Sequence, residues 1–367
     1  MKRIFSVLII FCVFACAVFF TGCQDVIFAK IMGEVELEDA TITGRVNTIV
    51  RCKLGTQEYL FIQNGRVYGK PASSASHGDW NLMSDGLPKL SYDYYNKKFN
   101  GIYIYQLAAT ENTLYALGAE IEENTEEGEN IAGSRYLYYF NGSTWIRCNG
   151  EVTGTSGNTT TIFCTNTIAA ANRTAYLRRN GTVSKLSDSP SSSTYIDSAA
   201  TTTTAYIPGA STVSVVYGSD NKLYFFDSCS AAYTTYVYWA SGSTLKYLNI
   251  ATTTVGDSVS CSTNITSIAA TSDAIILGTK GRGLEKTTNT SGVPGSSLTS
   301  FSTNADSALG SPYIIPAMLC IDSAASETGA TLYASADFKR KSSTSGGNYK
   351  DIGLWSYYPS RGNWNRE

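Results

Sequence analysis

The feature that most constrains this chain is a unit of short strands that recurs about every 50 residues from residue 48 onward. One clear copy runs through an apolar stretch at 101–107, then Leu114-Tyr115-Ala116-Leu117-Gly118 and Tyr136-Leu137-Tyr138-Tyr139-Phe140. An Asn141-Gly142 turn and Thr144-Trp145-Ile146 complete it. Val, Ile, Thr, Tyr and Phe fill the runs, while Gly, Asn, Ser and Asp separate them, which is strand-and-turn punctuation. First strands start near residues 48, 102, 162, 212, 265 and 314, at spacings of 54, 60, 50, 53 and 49 residues. A four-stranded antiparallel unit of about 50 residues is the blade of a β-propeller. One blade cannot bury both of its faces alone, so blades stack in a ring. The expectation is an all-β fold, a six-bladed β-propeller over 44–367. Seven blades are the alternative, with residues ahead of Thr48 adding a sheet. Two β-sandwiches would not account for six copies, and a β-helix would show a shorter period.

The aromatic ends of several units place Trp80, Trp145 and Trp364 on outer strands, wedged between blades where the ring is widest. A ring must seal its first and last blades to avoid an exposed edge. Residues 40–46 alternate in polarity and are expected to pair with the last blade.

The first residues read as an address. Lys2 and Arg3 make a positive start, 4–20 is apolar except for Ser6, and Thr21, Gly22 and Cys23 follow. That order describes a secretory signal. A retained membrane anchor is the competing reading, because about 17 apolar residues sit at the lower edge of what spans a bilayer. Phe20-Thr21-Gly22-Cys23 resembles the lipobox of bacterial lipoproteins, with Phe20 in place of the usual Leu in a manner similar to spirochaete lipoboxes. The resemblance implies diacylglyceryl transfer to the Cys23 sulfur, cleavage between Gly22 and Cys23, and acylation of the new amino terminus with palmitate-type chains. It divides the chain into a signal peptide at 1–22, a lipidated tether and lead-in at 23–43, and the propeller at 44–367. Several acyl chains hold a protein durably on a bilayer, at about 0.8 kcal/mol per buried methylene. Gln24 after the lipidated Cys leans toward the outer rather than the inner membrane of a bacterial envelope. Without Lys2 and Arg3 the chain carries 26 basic and 30 acidic groups, a net charge of −4.

A second resemblance lies in the body. Ala274-Ile275-Ile276-Leu277-Gly278-Thr279-Lys280-Gly281-Arg282-Gly283-Leu284 is similar to the repeat of BNR-type and two-component-regulator-type propellers. Leu114-Tyr115-Ala116-Leu117-Gly118 is a weaker echo. The Ser-x-Asp-x-Gly-x-x-Trp box of the sialidase-like members has no intact copy, since 343–349 holds glycines without the Asp. The resemblance implies the fold and not a function.

Candidate chemistry is sparse. The single His77 lies in Ser76-His77-Gly78-Asp79 and reads as a surface loop between outer strands, because a Ser/Gly loop does not orient an imidazole as a triad requires. Glu120, Glu122, Glu123, Glu126, Glu127 and Glu129 lack the alternating Asp/Asn spacing of a calcium loop and read as a solvated loop. Residues 187–204, nearly all Ser, Thr and Ala, read as a long loop or a frayed outer strand. Six Cys of the body, at 52, 148, 164, 229, 261 and 320, are scattered without a Cys-x-x-Cys pair, which argues against zinc or redox chemistry. Cys52, Cys164 and Cys320 sit in apolar first strands and read as small buried hydrophobes. No cofactor or metal is expected. The near-neutral charge without a basic run argues against nucleic acid.

The expected function is a non-enzymatic, membrane-tethered binding or assembly module whose loops on one face of the disc, such as 120–134 and 287–300, meet a protein or glycan partner. A glycan hydrolase or lyase is the alternative. It would need two carboxyls within roughly 5–10 Å of each other in the central pocket.

Overall fold

The short apolar runs become strands because alternate side chains have a neighbouring sheet to bury against. In the computed structural model, the described residues are 40–89, 91–93, 98–120, 123–125, 128–130, 134–153, 160–167, 173–180, 182–197, 204–206, 214–217, 223–226, 229–301, 309–337 and 352–367. Gly22, Cys23 and the rest of the expected leader lie outside them. Thr41–Glu367 is one compact unit.

Blade 1 is β1 (Ile49–Leu54), β2 (Gln57–Gln63), β3 (Val67–Pro71) and β4 (Asn81–Leu82), paired in that order. A short hairpin follows, β5 (Ser91–Asp93) with β6 (Lys98–Asn100). Blade 2 begins with β7 (Ile102–Ala109) and β8 (Leu114–Glu120). A second hairpin intervenes, β9 (Glu123–Thr125) with β10 (Gly128–Asn130), so part of the Glu-rich stretch pairs with itself instead of forming an open loop. β11 (Arg135–Phe140) and β12 (Trp145–Arg147) complete blade 2.

Blade 3 carries β13 (Thr161–Thr167), β14 (Ala175–Arg179) and β15 (Thr182–Lys185), extended by β16 (Thr204–Tyr206), β17 (Ser214–Tyr217) and β18 (Leu223–Phe226). The order is β15-β14-β13-β17-β18-β16, with β13 and β17 parallel. Residues 187–197 fold back on this blade, where Leu186 bridges Ile196 and Asp197 N donates to Lys185 O at 2.9 Å. Blade 4 is β19 (Ser230–Tyr233), β20 (Tyr236–Ser241), β21 (Thr244–Asn249) and β22 (Thr254–Ser260). Blade 5 is β23 (Ile265–Ala270), β24 (Ala274–Thr279) and β25 (Leu284–Thr290), with β26 (Val293–Pro294) and β27 (Thr299–Ser300) turning back on β25. Blade 6 is β28 (Met318–Cys320), β29 (Leu332–Ala336), β30 (Gly353–Tyr358) and β31 (Asn363–Arg366).

The architecture is a six-bladed propeller, as the repeat implies. One boundary differs. The fourth first strand is β19 at Ser230 and not a strand near residue 212. The stretch expected to open blade 4 is the β16–β18 addition to blade 3. Blade 4 fits into about 31 residues because its hairpins are tight, at Tyr233/Tyr236, Ser241/Thr244 and Asn249/Thr254. The addition is retained because it buries: Tyr224 and Phe226 pack with Val237, Trp239, Leu248 and Ile250 of blade 4.

Among the described residues, six apolar clusters hold the ring, one at each seam between consecutive blades. The strand period of two supplies both faces. In β8, Leu114 and Ala116 face blade 1, while Tyr115, Leu117 and Ala119 face blade 3. Trp80, Trp145 and Trp364 are all buried at seams. The loop after β4 clasps Trp145: its indole N–H donates to Met83 O at 2.7 Å and its backbone N–H to Asp85 O at 2.8 Å. Gly86 makes that approach possible, because at φ +89° a Cβ there would meet Thr144 Oγ1 and Trp145 O at 2.4 Å.

The seam between blades 6 and 1 closes the ring. Ile42 and Val46 are fully buried in it. Thr43 bridges Gly353, and Ile42 N donates to Glu367 O at 2.9 Å. The segment 40–46 thus pairs with the last blade through one bridge, and blade 6 is complete without it. The same seam holds a buried ion pair, Lys70 Nζ to Glu367 Oε2 at 2.5 Å, with both side chains fully buried. Trp80 Nε1 donates to Glu367 Oε2 at 2.6 Å, and the Ser356 hydroxyl donates to Glu367 Oε1. Burial pulls the Lys70 ammonium below its ordinary pKa, against the opposing pull of Glu367.

Candidate functional site

The first strands of the blades converge on the ring axis. Small side chains there, including Ser230, Ala231, Ala269 and Ala270, let the backbones approach and leave a cavity of about 160 Å³. Arg51, Cys164, Arg173, Leu319 and Cys320 also line it. Because strands alternate in direction, the described first-to-second-strand connections, those of blades 1, 2, 4, 5 and 6, leave on one face of the disc. That face gathers charge around the axial mouth.

Glu58, near the start of β2, is the hub. Its Oε2 accepts from Arg51 Nη2 and its Oε1 from Arg173 Nη2, which joins blade 1 to blade 3. Arg51 Nη1 reaches blade 6 and donates to Ile321 O at 3.3 Å. Lys53 pairs with Glu111, and Arg173 N lies 3.5 Å from Glu111 Oε2. Burial pushes the Glu58 carboxyl up, but the two guanidiniums outweigh it and hold Glu58 below the usual carboxylate range. The Lys53 hydrogen bond likewise holds Glu111 low.

A repeated turn positions Glu111. After Ala108-Ala109, Thr110 N donates to Thr113 O at 2.9 Å, and Thr113 N donates to Thr110 Oγ1 at 3.0 Å. Asp188 of blade 3 clamps the turn from outside, accepting from Asn112 N at 2.9 Å and Asn112 Nδ2 at 2.7 Å. Blade 5 repeats this after Ala269-Ala270: Ala274 N donates to Thr271 Oγ1 at 3.1 Å, and Asp273 Oδ1 accepts from Glu327 N at 2.7 Å. These are Thr-closed turns in which a side-chain oxygen substitutes for a backbone partner.

The singled-out residues fall elsewhere. His77 opens a one-turn 3-10 segment (His77–Asp79) between β3 and β4, as a loop between outer strands. The Asp79 carboxylate there accepts from Ser74 Oγ. Residues 287–290 belong to β25, and Thr287 and Asn289 are buried, so the stretch expected as an open loop is largely blade. Its turn leaves on the charged face, whereas the β8–β11 connection leaves on the other. All six body cysteines are free thiols. Burial raises Cys52, Cys148, Cys229, Cys261 and Cys320 to about 12. Among the described residues no group of three His, Cys, Asp or Glu is placed to hold a metal ion. The reading of the sequence missed Arg51, Glu58, Glu111 and Arg173. One signal was present: Arg51 and Lys53 interrupt an otherwise apolar first strand.

No family model matches the chain, and no curated protein matches it. Among solved structures, the computationally designed Ika8 protein is similar at 11% identity and a TM-score of 0.36, covering 89% of this chain and 87% of its own. U3-55K is similar at 8% identity and a TM-score of 0.37, covering 90% and 82%. The extracellular domain of BT4673 from B. thetaiotaomicron is similar at 10% identity and a TM-score of 0.35, covering 86% of this chain and 38% of that one.

Proposed function

We propose that the protein is a non-enzymatic binding or assembly module, held on the bacterial cell envelope by acyl chains on Cys23, with the outer membrane favoured. The ring supplies a rigid scaffold with loops on two faces, the arrangement of a binding module. A protein or glycan partner docks on the face around the axial mouth. One observation carries the choice over a glycan hydrolase or lyase. Glu58 and Glu111, two carboxyls at the mouth, are each tied to cations and held low in pKa. A general acid of that chemistry needs a carboxyl held protonated, which burial without a cation supplies.

Two experiments test this reading. Glycan turnover by the purified chain, abolished in Glu58→Gln, would overturn it in favour of the enzyme. Partner capture from detergent-solubilised membranes should be lost when residues of the β28–β29 connection are replaced and kept when the β8–β11 connection is replaced. For the anchor, a clickable fatty acid fed to expressing cells should label the protein; equal label on Cys23→Ala would exclude lipidation at that residue.

A further inference from the structure

Two buried arginine donors at the axial mouth are without a partner among the described residues. Among the described residues no acceptor meets Arg51 Nε or Arg173 Nη1. Leaving a charged N–H in that state is unfavourable, so each such donor calls for an acceptor. Both side chains line the axial cavity. Their guanidiniums meet at one carboxylate, since each gives one nitrogen to a different oxygen of Glu58. What remains unmet is one nitrogen from each arginine, Arg51 Nε and Arg173 Nη1, a donor set that suits an acceptor with two oxygens.

Charge and size narrow the ligand. Arg51, Lys53 and Arg173 face Glu58 and Glu111, which leaves one positive charge over. Asp188, hydrogen-bonded to Asn112, and Asp322, which accepts from Ala324 N at 3.2 Å, stand nearby with neutral donors, so they add negative charge around the cluster. A monoanion matches the one excess positive charge of the Arg51, Lys53 and Arg173 group, and the flanking carboxylates weigh against a dianion. The cavity of about 160 Å³ has room for about five waters at about 30 Å³ each, which is the size of a short-chain acid.

We propose that the axial cavity binds a carboxylate monoanion between Arg51 Nε and Arg173 Nη1. The inference rests on the binding-module reading and deepens it by naming the chemistry of the ligand.

The test uses the full-length chain in detergent micelles and isothermal titration calorimetry, with acetate, neutral acetamide and sulfate as separate probes. Acetate should bind and acetamide should not, and sulfate should be at least about tenfold weaker than acetate. Arg51→Lys and Arg173→Lys keep the charge but lose the fork, and each should weaken acetate by about tenfold or more. No acetate binding up to about 50 mM would overturn the proposal, since free-ligand linkage would then be negligible. So would sulfate binding as tight as acetate, or acetate affinity unchanged in both variants. The three probes on the unaltered chain decide the matter where a variant fails to fold. Partner capture involves none of these probes, so failure here leaves the binding-module reading to its own test.

Discussion

Replacing Glu367 by Gln keeps the side chain's shape and most of its hydrogen bonding but removes the charge that faces Lys70. Besides the Gln amide oxygen, the fully buried ammonium would keep the Tyr358 hydroxyl at 3.0 Å, Ser76 O at 3.5 Å and the ring faces of Trp80, Tyr333 and Tyr358 at 5.0, 5.2 and 5.5 Å. Stripping one partner from a buried pair costs about 3–5 kcal/mol. Lys70 can instead shed its proton, which caps the loss at pH 7 at about 4–5 kcal/mol from an unfolded pKa of about 10.4. The Gln amide oxygen can still accept from the ammonium, which moderates the net loss to about 2–4 kcal/mol. With an unfolding entropy of roughly 0.7 kcal/mol/K for a body of this size, Tm should fall by about 3–6 °C. The pH dependence carries its own sign. Burial sets the folded Lys70 pKa below the unfolded one, so between the two values the unfolded chain holds the extra proton and stability rises with pH. The variant's deficit should therefore shrink as pH climbs from about 7 toward about 10. Calorimetric melts across that range measure both effects. A fall smaller than about 1 °C at pH 7, or a deficit that stays constant with pH, would refute the reasoning. Lys70→Met combined with Glu367→Leu should recover most of the loss, since removing both charges of a buried pair is often neutral.

Three further outcomes are expected. Deleting residues 40–46 removes the fully buried Ile42 and Val46, each worth about 1.5–3 kcal/mol, and should lower Tm by several degrees; an unchanged melt would exclude a closing role for the segment. The stabilisation from Glu58 and Glu111, whose folded pKa values are depressed below 4.5, should be whole above about pH 5 and lost as pH falls through the folded values. Melts of Glu58→Gln from neutral to acid should accordingly show a shallower acid limb. Gly86→Ala should destabilise by more than about 1 kcal/mol, through both its positive φ and its collision with blade 2, and expose Trp145 to a fluorescence quencher.

The strands of blades 1, 2 and 5 were legible because their residues alternate cleanly between two apolar seams. Ile275 and Leu277 serve one seam and Ile276 the next, and that period is visible without coordinates. The boundary between blades 3 and 4 was not legible. The β16–β18 addition has the composition of a blade, and only its pairing with β13 assigns it to blade 3. The axial cluster was hidden for a different reason. Glu58, Glu111 and Arg173 come from three blades and are single charges near turns, where charge is ordinary. Lys70 and Glu367 are 297 residues apart, beyond the reach of any local pattern.

That separation also bears on the order in which the ring is built. Joining two points about 300 residues apart in a flexible chain costs roughly 1.5 kcal/mol more in closure entropy than joining neighbouring blades about 50 residues apart. Once the intervening blades have stacked, the two ends are held near each other and the same contact forms over a short distance. We therefore expect the seam at Lys70 to close last, after the rate-limiting barrier. Lesions there should then speed opening and leave the refolding rate nearly unchanged, while lesions at the seams between sequence neighbours should slow refolding.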